Sequence, residues 1–470
     1  MDATALVLRR GQYALNVGLA FGIALVLLVA GLSPTGLLLL PLILSVSVAA
    51  VFVVRRPLVN LFLLLFGIAF TSGYTEGITA VELLHGSYLL VYLVAWFADR
   101  LVTRKQIVSN SPERMFLLFL IVLPFTVFIT ILLQGSLREY AQEMFALMHL
   151  ALYFPIRDAC RRSERGNVAV VTAFLLLAAY AAVRNGFLYR ENLLEATMGW
   201  QVEKNRIAVN DGILMTSSLF FTALVGMGPT RLIRLAGALG GITTLIGLVL
   251  TQSRAFWVCF LVGVAMILFI LQGTERRRIV LLITVTGVLT LAVGLFILRS
   301  DFLLILLGLT ERFTSIGTAA TQDISLINRF RESKVVLGLI ADNPVVGHGA
   351  GVGYLFFEIG RSGTDTDSLV HNAFLGLWYK WGIWGLFAIV YMWGSTIAVG
   401  LRTLRERLTP FRRLAMVGAL SSLCVYVISA NTANPFLLND SLFLFALLFA
   451  LVRGNTAALK EQGGPQQDRR

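Results

Sequence analysis

Apolar stretches of about 18 residues or more, each long enough to cross a bilayer core as a helix, recur along nearly the whole chain. The runs are continuous rather than alternating, which disfavours a membrane β-barrel. Composition agrees: of 470 residues 57% are hydrophobic and only 14% charged, and the mean hydropathy is +0.80. A soluble domain is closer to a quarter charged. The sequence therefore predicts an all-α polytopic membrane protein.

Spans are expected near 13–31, 36–54, 57–72, 80–98, 115–133, 139–156, 167–183, 208–227, 232–251, 255–271, 279–298, 372–399, 414–430 and 436–452. That is fourteen, or twelve without the segments at 57–72 and 139–156, which are short or carry Glu143 and His149. The net charge of +13 is spread as short basic clusters between spans. That is the pattern of topology signals beside anionic headgroups, not of a nucleic-acid site. Arg9/Arg10, Arg55/Arg56, Arg100–Arg114, Arg157–Arg165, Arg231/Arg234, Arg276–Arg278, Arg402–Arg413 and Arg453 fall at alternate turns, so positive-inside places them and both termini in the cytoplasm. The first apolar run follows Arg9/Arg10 without a small-residue cleavage site and reads as a retained anchor. Cys160, Cys259 and Cys424 stand in no disulfide or zinc spacing.

The chain divides into N-terminal spans (1–298), one large non-cytoplasmic loop (299–371), C-terminal spans (372–453) and a polar tail (454–470) expected to be disordered and cytoplasmic. The loop is too long for a plain connection. Within it Asn328–Pro344 sets Phe330, Val335, Leu339 and Ile340 at helical spacing with charges opposite, an amphipathic helix either on the membrane surface or packed on the loop's own core. Asp365–Asp367 (DTD) reads as a flexible polar loop rather than a metal site. GHGAGVG (Gly347–Gly353) reads as a tight turn, because no strand precedes it and no GK[ST] follows. His85 and His149, inside apolar spans, read as packed core residues. No P-loop, paired-cysteine site or HExxH is present, which disfavours ATP-driven transport and metalloprotease chemistry.

Four ionisable residues stand at span ends on the non-cytoplasmic side: Arg206, Arg254, His371 and Asp440. An arginine at a membrane boundary usually has a partner. Arg254 could snorkel to phospholipid, and Arg206 lies in a more polar stretch with Glu203, Lys204 and Asp211. The alternative is a guanidinium pair holding a diphosphate bidentately without metal. His371 could cap its helix; beside two arginines it becomes a candidate general base.

The stretch DSLVHNAFLGLWYKWGIWG (367–385) carries a family pattern: His371-Asn372, nine residues, then Gly382-Ile383-Trp384-Gly385, fitting H[NSQ]-x9-G-x-x-G. With the upstream NRF…DNPVVGHGAGVG it resembles the O-antigen ligase/polymerase superfamily over roughly residues 200–400. The resemblance implies an inner-membrane glycosyltransferase with a periplasmic active site and no cofactor, metal or ATP. It would move O-antigen polysaccharide from undecaprenyl diphosphate to lipid A–core, among membrane lipids, with inversion at the anomeric carbon. The oligomeric state stays open. By this resemblance His371 matches the essential histidine and general base, and Arg254 and Arg206 match the diphosphate-binding arginines. Beyond the resemblance, the mechanism would have Asn372 and Asp440 orient the ring or acceptor, Asp440 being equally readable as an interface residue bonded to a helix end, and Arg329 and Arg331 contact core phosphates. An O-antigen polymerase sharing the donor is the nearest alternative. A flippase or transporter for lipid-linked sugars is a different class, but it would expect ionisable groups at mid-span. A ligase for teichoic acid or protein would differ only in acceptor.

Overall fold

A computed structural model describes residues 57–71, 79–194, 210–293, 324–357, 364–367, 370–431, 434–437 and 439–463. The expected spans at 13–31 and 36–54 lie outside these residues, as do the end of the span at 279–298 and the first part of the large loop. Among the described residues seven helices are long and apolar enough to cross a membrane, and three shorter apolar helices accompany them.

The elements, in chain order, are α1 (Pro57–Thr71), α2 (Ala80–Val102), α3 (Ser111–Val122), α4 (Val127–Leu132), α5 (Leu137–Met148), α6 (Tyr153–Arg162), α7 (Glu164–Leu194), α8 (Asp211–Met227), α9 (Arg231–Leu250), α10 (Arg254–Ile270), α11 (Gly273–Val293), α12 (Ile324–Asp342), β1 (Tyr354–Phe357), β2 (Thr364–Asp367), α13 (Ala373–Thr403), α14 (Pro410–Ser429) and α15 (Asn439–Gly463). Local chemistry sets many of the starts. Thr79 and Glu82 form a reciprocal capping box at α2, and the side chains of Asn110, Ser136, Thr230 and Thr409 accept amides at α3, α5, α9 and α14. Each cap satisfies an amide that the first helical turn leaves without a partner.

Every side chain from Leu442 to Val452 is fully buried. A helix apolar on all sides belongs at the centre of a bundle, and α15 is that centre, packed on α6, α13 and α14. Side chains such as Leu118, Phe125, Phe128, Leu132, Leu239 and Phe269 stay exposed, as a lipid-facing perimeter requires.

Two expectations change. The all-α reading gains one small hairpin: β1 pairs antiparallel with β2, Tyr354 opposite Asp367 and Phe357 opposite Thr364. The DTD stretch is therefore a strand and not a flexible loop, since alternation around Thr366 lets it pair with YLFF. The tail is also helical further than expected, because α15 runs to Gly463. Asn455 is fully buried, accepts from Arg412 at 2.9 Å and from Asn167 at 3.1 Å, and Glu461 pairs with Arg161. Those partners hold nearly three extra turns that composition alone reads as polar tail; 464–470 lie outside the described residues.

Candidate functional site at the His371 pole

The bundle has two ends. At one, members of two of the expected basic clusters gather: Arg157 meets Glu113 at 2.5 Å, Arg162 meets Asp158 at 2.8 Å and Arg413 meets Glu275 at 3.0 Å, while Arg9, Arg10, Arg55 and Arg56 lie outside the described residues. The opposite end holds His371.

Asn372, not His371, caps α13. Its Oδ1 accepts from the amides of Phe374 and Leu375 at 3.0 and 3.1 Å, so that oxygen is committed to the helix and only the Asn372 amide nitrogen remains to orient a substrate. Capping frees the preceding imidazole. His371 Nδ1 lies 3.1 Å from Oε2 of Glu332 on α12, and the His371 amide donates to the same carboxylate at 3.3 Å. Glu332 also accepts the Tyr354 hydroxyl from β1 and is 2% exposed. With Nδ1 donating to Glu332, Nε2 carries the lone pair. The His371 side chain is 37% exposed, so that lone pair can be reached. An imidazole oriented through its second nitrogen by a buried carboxylate is the arrangement that proton-accepting histidines share.

Glu332 escaped the sequence reading, which put charges on the outer face of this helix. The buried stripe of α12 is instead Asn328, Glu332, Val336 and Ile340, while Phe330 is 60% and Val335 39% exposed. The stripe is chosen by polar partners: a carboxylate that meets a phenol, an amide and an imidazole can be buried where an unpaired one cannot. A four-residue polar spacing in phase with Val336 and Ile340 was the signal available.

The Gly382–Gly385 pair serves a second device. Gly382 sits inside α13 at φ 64°, ψ −172°, a region essentially reserved for glycine, and the helix breaks there. The GHGAGVG turn, left-handed at Gly347, Gly349 and Gly351, docks against the break. His348 N donates to Tyr379 O at 2.7 Å, Gly349 N to Lys380 O at 2.8 Å, and Ile383 N to Pro344 O at 3.0 Å. These bonds replace those the broken helix loses. Seven residues separate the helix start from Lys380, so the turn reaches about 10 Å below it. Irregular backbone at such depth is tolerated only when protein satisfies it. Glu143 on α5 fastens the turn, pairing with buried Lys380 and accepting from Gly351 N at 3.2 Å.

Arg254 begins α10, straight after a tight turn in which Gln252 is left-handed at φ 53°. It belongs to the His371 pole through α14. Cys259 donates to Val425 O at 3.3 Å, Phe256 lies 6.4 Å from the Tyr426 ring, and one turn on Ala430 O accepts from Ala373 N at 2.8 Å. Asp440 shares this pole: buried, it accepts from its neighbour Ser441 at 2.7 Å, which suits a helix-end residue. Arg331 is exposed over the Phe357 ring at 5.9 Å, and Arg329 is half-buried on the same helix. Arg206 lies outside the described residues, four positions before Asn210, where α8 starts beside Tyr426. His85 and His149 are buried core residues as expected, their Nε2 atoms 3.3 Å apart.

Residues 239–390 match a family model described as O-antigen ligase. The match covers about a third of the chain and is consistent with the superfamily of O-antigen ligases and polymerases. It runs from within α9 to within α13 and so contains Arg254, Glu332, His371, Asn372 and both glycines; Arg206 and Asp440 fall outside it. No curated protein matches the chain.

Proposed function

We propose that this protein is an O-antigen ligase, moving a polysaccharide from undecaprenyl diphosphate to lipid A–core at the periplasmic face of the inner membrane. The observation that carries the reading is the His371–Glu332 pair, whose outward nitrogen is free to accept a proton inside the family domain.

In the reaction, the acceptor hydroxyl oxygen attacks the anomeric carbon while the bond from that carbon to the diphosphate oxygen breaks. The hydroxyl proton passes to His371 Nε2. Glu332 acts as a positioning residue: it fixes the ring and stabilises the imidazolium that forms. The diphosphate leaves with the bonding pair, so growing negative charge needs cations at the membrane edge. Arg254 and Arg206 fill that role as bidentate donors. Attack opposite the leaving group inverts the anomeric configuration. Asp440 and the Asn372 amide hold the acceptor, and Arg329 and Arg331 meet core phosphates. Both lipids stay anchored while their head groups meet at one rim.

Reconstitution of the purified protein with lipid-linked O-antigen and lipid A–core, in the presence of EDTA, tests this. Full lipopolysaccharide is expected, and His371→Ala should lower turnover by roughly 10²–10⁴. Arg254→Lys should also fail, since an ammonium is no fork. Extension of the lipid-linked glycan instead would mark a polymerase; undiminished transfer by His371→Ala would remove the base.

A further inference from the structure

At the arginine-rich pole, far from His371, a cavity of about 340 Å³ lies between α1, α2, α6 and α7. One face of α2 contributes Trp96, Asp99 and Arg100; α6 contributes Asp158 and Arg162, and α1 contributes Asn60. Two carboxylates thus face two guanidinium groups, and the cavity has no net charge. Asp158 is shared by both arginines, meeting Arg162 at 2.8 Å. Arg162 is about half exposed at 53% and can reach a further acceptor.

Donors are in surplus. Among the described residues the buried Arg100 Nε and Asn60 Nδ2 have no acceptor, while the Asn60 carbonyl takes the Tyr88 hydroxyl. Buried donors ordinarily find acceptors, and a phosphate supplies several at once. A purely anionic head group would nevertheless bring its charge against Asp99. A quaternary ammonium has no N–H to give a carboxylate, and the face of Trp96 suited to hold one is covered by Arg100, 5.0 Å from the ring centroid. A primary ammonium donates three hydrogen bonds and fits Asp99.

We infer that this cavity holds the head group of an aminophospholipid from the adjacent leaflet, its phosphate on Arg162 and Arg100 and its ammonium on Asp99. Arginines between membrane helices bind lipid phosphates in this way; here the facing carboxylates leave the cavity neutral overall, which suits a zwitterion rather than an anion. The site is independent of the transfer reaction at the opposite pole.

Native mass spectrometry tests it, on the full chain released from nanodiscs of equal phosphatidylethanolamine, phosphatidylcholine and phosphatidylglycerol with matched acyl chains. Phosphatidylethanolamine should be retained roughly tenfold over the other two, the worth of one charge-assisted hydrogen bond. Asp99→Asn should erase the preference over phosphatidylglycerol, and Arg162→Gln, on the exposed rim where folding is not at stake, should weaken phospholipid retention generally. Equal retention of all three lipids, a lead for phosphatidylglycerol, or an unchanged order in Asp99→Asn would overturn the assignment. So would displacement of the lipid by an equal concentration of soluble phosphoethanolamine, which would point to a free metabolite.

Discussion

At the arginine-rich pole guanidinium groups close onto carboxylates carried by other helices: Arg157 on Glu113, Arg161 on Glu461, Arg413 on Glu275. At the His371 pole two buried carboxylates, Glu332 and Glu143, close instead onto an imidazole and onto irregular backbone. Glu332 gathers a phenol, an amide and an imidazole, and Glu143 gathers Lys380 and the amide of Gly351. The contrast separates two uses of charge. One pole binds helix to helix, so its pairs answer to stability. The other orients a ring and supports a broken helix, so its pairs answer to geometry.

Substitutions at the two poles should divide accordingly. Gly382→Ala should have the largest effect, because a methyl group would lie 2.0 Å from Val345 O at a glycine-only φ/ψ. A loss of roughly 4 kcal/mol is expected, read as a fall in thermal midpoint and in recovery from detergent. Next comes Glu113→Gln, which strands buried Arg157 and should cost about 3 kcal/mol; transfer per folded molecule should hold, and a selective loss of turnover would blur the division between poles. Glu332→Gln should do the reverse, lowering kcat roughly 30-fold with the thermal midpoint and KM little changed. Smallest is Arg161→Ala, whose half-exposed pair with Glu461 should contribute under about 1 kcal/mol; a larger drop in midpoint would show α15's final turns to be a clamp.

Much of this was legible in the sequence, for physical reasons. Apolar length marks spans because lipid offers the backbone no partners, and basic clusters mark one pole because lipid headgroups sort them. The His371-Asn372…Gly382…Gly385 spacing was visible as a family pattern, and the fold adds its physical reason: a cap at Asn372 and a helix break at Gly382. What stayed hidden depends on partners distant in sequence. Glu332 reads as a solvated charge until Tyr354 and His371 are folded against it. Gly382 reads as one position of a family pattern inside an unbroken span, and the break there, filled by Pro344–Gly351, shows only in the fold. The hairpin escaped because four-residue strands carry little periodicity, and the last turns of α15 escaped because polar residues at 455 and 461 find Asn167 and Arg161.

The most direct measurement is a double-mutant cycle in the reconstituted transfer assay, comparing Glu332→Gln, His371→Ala and their combination. If the carboxylate works through the ring, the combined variant should turn over no more slowly than His371→Ala alone. Multiplied losses, or wild-type turnover in Glu332→Gln, would contradict it.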